Sequence, residues 1–188
     1  MILSVSRRTD IPQYYSDWFF NRMKEGFLYV KNPMNSHQVS KIMLSPDLVD
    51  LVVFWTKNPA PMMRRIGELG EIPYYIQFTL TGYGRDIEPG LPDKHELIRI
   101  FRETAETAGR DRMVWRYDPV LFNERYPAEY HFRAFEAIAE GICTREELFI
   151  TSKMWVQDMQ NYKMAKKAID HSIETLGMEY LDLYLLHQ

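Results

Sequence analysis

Cysteine is almost missing from this sequence: of 188 residues, only Cys143 carries a thiol. A single thiol excludes an intrachain disulfide framework. It also excludes a cysteine-held zinc or iron–sulfur centre built from this chain alone. A basic excess is missing too. The formal net charge is −3, so no broad positive field calls for nucleic acid, although single Arg/Lys groups can still hold a phosphate. Long hydrophobic runs are absent, and no apolar stretch approaches the roughly 20 residues of a membrane span. Arg7, Arg8 and Asp10 come too early for a secretory leader. The expectation is a cytoplasmic protein with neither membrane nor nucleic acid among its partners. Glycine is sparse where a phosphate loop would need it, and "GYGRD" at 82–86 lacks the spacing and the following helix of a dinucleotide fingerprint. His37, His95, His131 and His171 are scattered, so no metal site is expected.

What is present suits one globular β/α domain over 1–188. The chain is 46% hydrophobic and 26% charged, enough for a sizeable core. Apolar runs at Met1–Val5, Leu51–Trp55, Tyr74–Leu80, Met113–Tyr117, Leu148–Thr151 and Leu181–Leu186 read as strands. Between them lie one-faced amphipathic stretches: Asp17–Lys24, Ala60 to about Leu69, a helix capped by Asp93 with Glu96 three residues on, Ala128–Glu140, and 165–176 stopping at Gly177. Phe27–Val30 and Val39–Met43 flank "KNPMNSHQ" and predict a small hairpin near 27–43. Strands this apolar are expected to be buried on both sides, as in a parallel sheet. The sequence therefore predicts a parallel, open partial β/α barrel of about six units, TIM-barrel-like, with the hairpin as an insertion.

In such a fold the chemistry gathers at the C-terminal ends of the strands. Each predicted strand is followed by polar groups: "SRRTD", "TKNP", "TLTGYG", "RYDP", "TSKMW" and "HQ". Arg7, Arg8, Asp10, Lys57, Asn58, Thr81, Arg116, Asp118, Lys153 and His187 are thus expected on one edge. Singly, each reads as loop polarity or as a structural ion pair, Arg116 with Asp118 or Arg8 with Asp10. Together they read as a ligand face, and its cationic excess suggests a phosphate- or carboxylate-bearing small molecule.

Two family resemblances overlay this reading. Residues 1–136 carry "ILSVSRRTDIP", "VDLVVFWTKNP", "YYIQFTLTGYGRDIEP" and "DRMVWRYDPVL". This portion resembles an uncharacterised prokaryotic family of unknown function, whose members look like radical-SAM-related barrels. They continue into a cysteine-rich region that would supply iron–sulfur ligands. With Cys143 alone, that cluster is not expected here.

Residues 137–188 carry "AIAEGICTREELFITSKMWVQD" and "KAIDHSIETLGMEYLDLYLLHQ". They are similar to an internal stretch of the aldo/keto reductases. The resemblance implies a catalytic lysine at Lys153, an active-site histidine at His187, a pocket-lining Trp155 and an aspartate at Asp118. It also implies NADPH as hydride source and a tyrosine as proton donor. The tyrosine's place falls on Asn123 or Glu129, depending on the count, and neither is a tyrosine, although Tyr117, Tyr126 and Tyr130 are close in sequence. That family's NADP-binding strands correspond to chain beyond Gln188. The expectation is a chimera joined near 137, whether natural, designed or an assembly artefact. It would be inactive as an isolated chain, with no cofactor of its own, and would self-associate through an exposed strand edge at 181–186.

Overall fold

The computed structural model describes residues 1–188 except 7, 36, 145, 146, 156, 158, 159, 178 and 188; the side chains at 155, 176, 186 and 187 are also left out. The described chain divides into two compact units, Met1–Pro127 and Ala128–Gln188.

The first unit is built on a four-stranded parallel sheet. Its strands are β1 (Ile2–Val5), β4 (Leu51–Thr56), β5 (Tyr74–Thr79) and β6 (Met113–Arg116), adjacent in that order. Registers such as Val5↔Phe54, Phe54↔Ile76 and Thr79↔Arg116 bring all four C-terminal ends to one edge. A separate antiparallel hairpin, β2 (Phe27–Lys31) and β3 (Val39–Met43), follows the helices α1 (Ile11–Tyr14) and α2 (Ser16–Glu25). Gly26 stops α2 at φ 77°, the left-handed region that disfavours a Cβ.

The stretch from Ala60 to Leu69 was expected as one short helix. It is instead α3 (Ala60–Met63) and a separate 3₁₀ turn, Ile66–Leu69. Gly67 and Gly70 lower the helical propensity there, and Gly70 turns at φ 61°. Asp93 caps α4 (Lys94–Ala108) by accepting from the Glu96 amide at 3.0 Å, as the sequence predicts.

The core lies on one face of this sheet. Val52, Phe54, Ile76 and Phe78 are fully buried. Phe54 meets Phe19 of α2 edge-to-face at 5.4 Å, and Phe78 meets Phe101 of α4 at 5.3 Å. Each such side chain contributes about 1.5–3 kcal/mol by leaving water. The other face differs from the expectation of strands buried on both sides. Only Val53 is buried there, while Trp55, Tyr75, Gln77, Thr79 and Arg116 are half-buried and Ser4 and Val114 are exposed. The cause is visible in β5: "YYIQFT" alternates Ile76 and Phe78 with Gln77 and Thr79, a period of two that suits one covered face.

The second unit contains α5 (Ala128–Ile142), β7 (Thr151–Trp155), α6 (Tyr162–Leu176) and β8 (Leu183–His187). Its two strands pair in parallel, Thr151↔Leu183 through Trp155↔His187. The strand predicted at Leu148–Thr151 thus begins only at Thr151. Asp182 decides this start: its carboxylate accepts from the Ile150 amide at 2.7 Å, and the Asp182 and Leu183 amides both donate to the Ile150 carbonyl. Asn161 caps α6, and Gly177 ends it at φ 62°. The protein is therefore mixed α/β with a central parallel sheet. Among the described residues six parallel strands are shared between a four-stranded and a two-stranded ladder. No described helix is long and apolar enough to cross a membrane.

Candidate functional site

The edge formed by the ends of β1, β4 and β5 holds a linked set of charges. Ser6, just past β1, has φ 85°, uncommon for a residue with a Cβ, and its hydroxyl accepts from the Ile11 amide at 3.1 Å. This turn carries the chain to Asp10. One Asp10 oxygen accepts from the Gln13 amide (3.0 Å) and the Thr56 hydroxyl (2.8 Å), and the other from the Lys57 amide (2.7 Å). Asp10 thereby caps α1 and ties it to the end of β4. Burial pushes its pKa up, and these donors pull against that shift.

Glu88 lies beyond β5, with only 7% of its side chain exposed. One oxygen is paired with Lys57 Nζ and accepts from the Thr81 hydroxyl at 3.1 Å. The other accepts from Lys94 Nζ at 2.6 Å. Burial pushes its pKa up, but the two ammonium groups outweigh burial and hold it below the usual carboxylate value. A cavity of about 210 Å³ opens beside this group. Asp10, Lys57 and Glu88 supply its charged lining, and Tyr14, Ile87 and Leu91 its apolar lining. Gly90 lies close by: a Cβ there would come within 3.3 Å of the Tyr14 hydroxyl.

The end of β6 makes a second group. Arg116 pairs with Asp118 and lies over the Trp55 ring, 4.5 Å from its centroid. The Trp55 indole N–H donates to the Ser4 hydroxyl at 3.2 Å. A guanidinium with one side on a carboxylate and one face on an indole is fixed in orientation. In the loops of the same unit, Tyr126 donates to Asp86 at 2.7 Å, and burial first, then Asp86, pushes the Tyr126 phenol up.

The sequence-predicted residues are distributed as follows. Asp10 and Lys57 meet directly, as do Arg116 and Asp118, all at the ends of neighbouring parallel strands. Asn58 accepts from the Ala60 amide at 3.2 Å and starts α3, a structural role. Arg8 does not pair with Asp10; its guanidinium donates to the Lys31 carbonyl on the hairpin at 2.7 Å. Arg7 lies outside the described residues, as do the side chains of Trp155 and His187. Lys153 is exposed on β7, opposite Leu185 of β8.

Sequence reasoning missed Glu88, Lys94 and Tyr14. One signal pointed to Lys94. A cation in the first turn of a helix opposes the helix dipole, so it wants a tertiary partner that outweighs this cost. Glu88 gave no such sign inside its polar loop.

The residues present do not fit an iron–sulfur cluster. Such clusters are held by about four cysteine thiolates, and the sequence has Cys143 alone. Among the described residues no group of three His, Cys, Asp or Glu side chains could hold a metal ion.

Comparison with known proteins gives two kinds of match. A family model described as "Domain of unknown function (DUF1848)" matches residues 2–183. Among curated proteins, the chain is 48% identical over 52 residues to Aldo-keto reductase AKR2E4 of Bombyx mori, covering 28% of this chain and 17% of that protein. It is 52% identical over 50 residues to a glyoxal reductase of Bacillus subtilis, covering 27% and 18%. Rhazimal reductase 2 of Alstonia scholaris is 35% identical over 109 residues, covering 57% and 32%. The chain thus spans between about a sixth and a third of the length of these relatives. The segment 137–188 has only 52 residues, so a 109-residue match reaches back across residue 137, as the family match does. No solved structure matches.

Proposed function

The chain belongs to the DUF1848 family, a domain of unknown function, and from that premise we propose that its first unit binds a small anionic metabolite at the C-terminal edge of β1, β4, β5 and β6. The observation that carries this reading is Glu88. A single buried carboxylate needs one cation, and Glu88 has two, so Lys57 can turn to a ligand in the adjoining cavity while Lys94 still holds Glu88. Arg116, oriented on Trp55, offers a second donor group on the less covered sheet face. The edge position is also where parallel β/α sheets usually carry their ligands. In this reading the four strands are one wall of a TIM-like partial barrel. Isothermal titration of the full chain with phosphate- and carboxylate-bearing metabolites at low salt tests the binding role. Lys57→Met or Arg116→Met is expected to weaken the bound anion about tenfold, ~1.4 kcal/mol. Absence of heat with every anion sinks the proposal.

A second reading is favoured by the 48–52% identity of short segments to named reductases. Here the second unit is an aldo/keto reductase-like segment with Lys153 and His187 in the family's catalytic places and NADPH as the implied hydride source. Neither Asn123 nor Glu129 is the tyrosine that the resemblance calls for as proton donor, so we take the isolated chain to be inactive. NADPH oxidation driven by an aldehyde, and abolished in Lys153→Met, overturns that inactivity and makes the chain a reductase. We further propose that the exposed Leu183 and Leu185 of β8 promote self-association. Light scattering that finds only monomer across a wide concentration range counts against it.

A further inference from the structure

We propose that the cavity beside Lys57 takes a small monocarboxylate, with its carboxylate on Lys57 Nζ and its apolar body against Ile87 and Leu91. This rests on the anion-binding reading and narrows it to one ligand class. Size is the first reason. A volume of about 210 Å³ lies below the ~300 Å³ at which pockets for drug-sized ligands begin, so the ligand is small.

Charge is the second reason. Among the described residues Lys57 is the one cation in the cavity lining. With Asp10 counted, the two lysines are balanced by two carboxylates, so a monocarboxylate on Lys57 is repelled less than a phosphate dianion. The Asp10 carboxylate is already engaged by Thr56 Oγ1, Gln13 N and Lys57 N, so it acts as part of the wall.

The third reason is how Lys57 is freed. Lys94 holds the other oxygen of Glu88 at 2.6 Å. When Lys57 turns to a ligand, Glu88 keeps a cation and is not left buried and unpaired, which would cost several kcal/mol. Lys94 is therefore a positioning residue: it never touches the ligand, yet it permits Lys57 to bind. Tyr14 Oη, at the Gly90 rim, stands as a further donor.

The test is isothermal titration of the full chain with isobutyrate and benzoate as probes and inorganic phosphate as comparator. The proposal expects both monocarboxylates to bind and phosphate to bind more weakly. Lys57→Met should lower carboxylate affinity at least tenfold, and Lys94→Met several-fold. Glu88→Gln should raise it, because both lysines are then released. That signed increase separates ligand competition from simple loss of structure; thermal melts of each variant show whether it is folded, and Lys57→Met is mild because the side chain is 36% exposed. Carboxylate binding unchanged in Lys57→Met, or a folded Glu88→Gln that binds more weakly, overturns the proposal. Lys57-dependent binding of phosphate alone overturns the proposal and leaves the anion reading intact. No binding of any anion overturns both.

Discussion

The two units obey the same local rules and end up with different cores. In Met1–Pro127, α4 begins on an Asp cap and α2 ends on a left-handed Gly; in Ala128–Gln188, α6 begins on an Asn cap and ends on a left-handed Gly. Both build parallel strands. Yet among the described residues nearly all buried hydrophobic side chains belong to the first unit, and only Ile138 and Met154 to the second. In the second unit Phe132, Phe149, Tyr162, Tyr180, Leu183 and Leu185 are exposed. Two paired strands offer too little sheet to cover an apolar helix face, whereas four strands faced by α2 and α4 can. Caps and stops shape helices; the number of paired strands decides whether they bury anything.

The sharpest way to break this comparison is core truncation. Phe54→Ala is expected to destabilise the chain by about 3–5 kcal/mol, because the ring is fully buried and touches Phe19 and Tyr74. Urea unfolding would measure it, and a loss near zero would mean the first unit has no continuous core. Asp10→Ala comes next, at roughly 2 kcal/mol: it removes the α1 cap and leaves buried donors at Thr56 and Lys57 without their acceptor.

Acid probes the charged group of the first unit. The Glu88 pKa is held low in the fold, so its stabilisation is present above the unfolded carboxylate range and is lost as pH falls through the folded value. Asp10 has the opposite sign: its folded pKa is raised, so its contribution is fully present below the unfolded value and is lost as pH rises through the folded one. A chemical-denaturation series over falling pH should show a loss of stability that Glu88→Gln flattens. An unchanged acid limb in that variant would rule out Glu88 as its source.

The smaller effects sharpen the contrast. Gly26→Ala and Gly177→Ala should each cost about 1 kcal/mol or slightly more, since both sit at positive φ and neither Cβ would meet an atom within 4 Å. Equal costs in the two units would confirm that helix stops are local. Phe149→Ala, 71% exposed, should lie within about 0.5 kcal/mol of the parent. A larger loss would show that the second unit has a core among contacts beyond those described.

Much of the fold was legible in the residues. The hairpin around 27–43, the caps at Asp93 and Gly177, and the four strands of the larger sheet follow from periodicity and turn chemistry. What was misread has physical causes. Ile76 and Phe78 alternate with Gln77 and Thr79, but the long apolar run Leu51–Trp55 beside them suggested burial on both faces. Arg8 and Asp10, two residues apart, looked like an ion pair; the Ser6 turn and the hairpin sent Arg8 to Lys31 and Asp10 to Thr56. The Lys57–Glu88–Lys94 group joins residues 31 and 6 positions apart, and no local pattern announces it.

By itself, the sequence determined what depends on near neighbours: where most helices and strands lie, which residues cap or stop the helices, and that a single cysteine cannot hold a cluster. Only the tertiary structure decided that six parallel strands divide four and two, that one face of the larger sheet is left half-covered, and that Glu88 is shared by two lysines. Those outcomes depend on strand pairing and on burial of charge across distant parts of the chain. Their energies come from desolvation and mutual neutralisation, which no residue carries until the fold brings its partner to it.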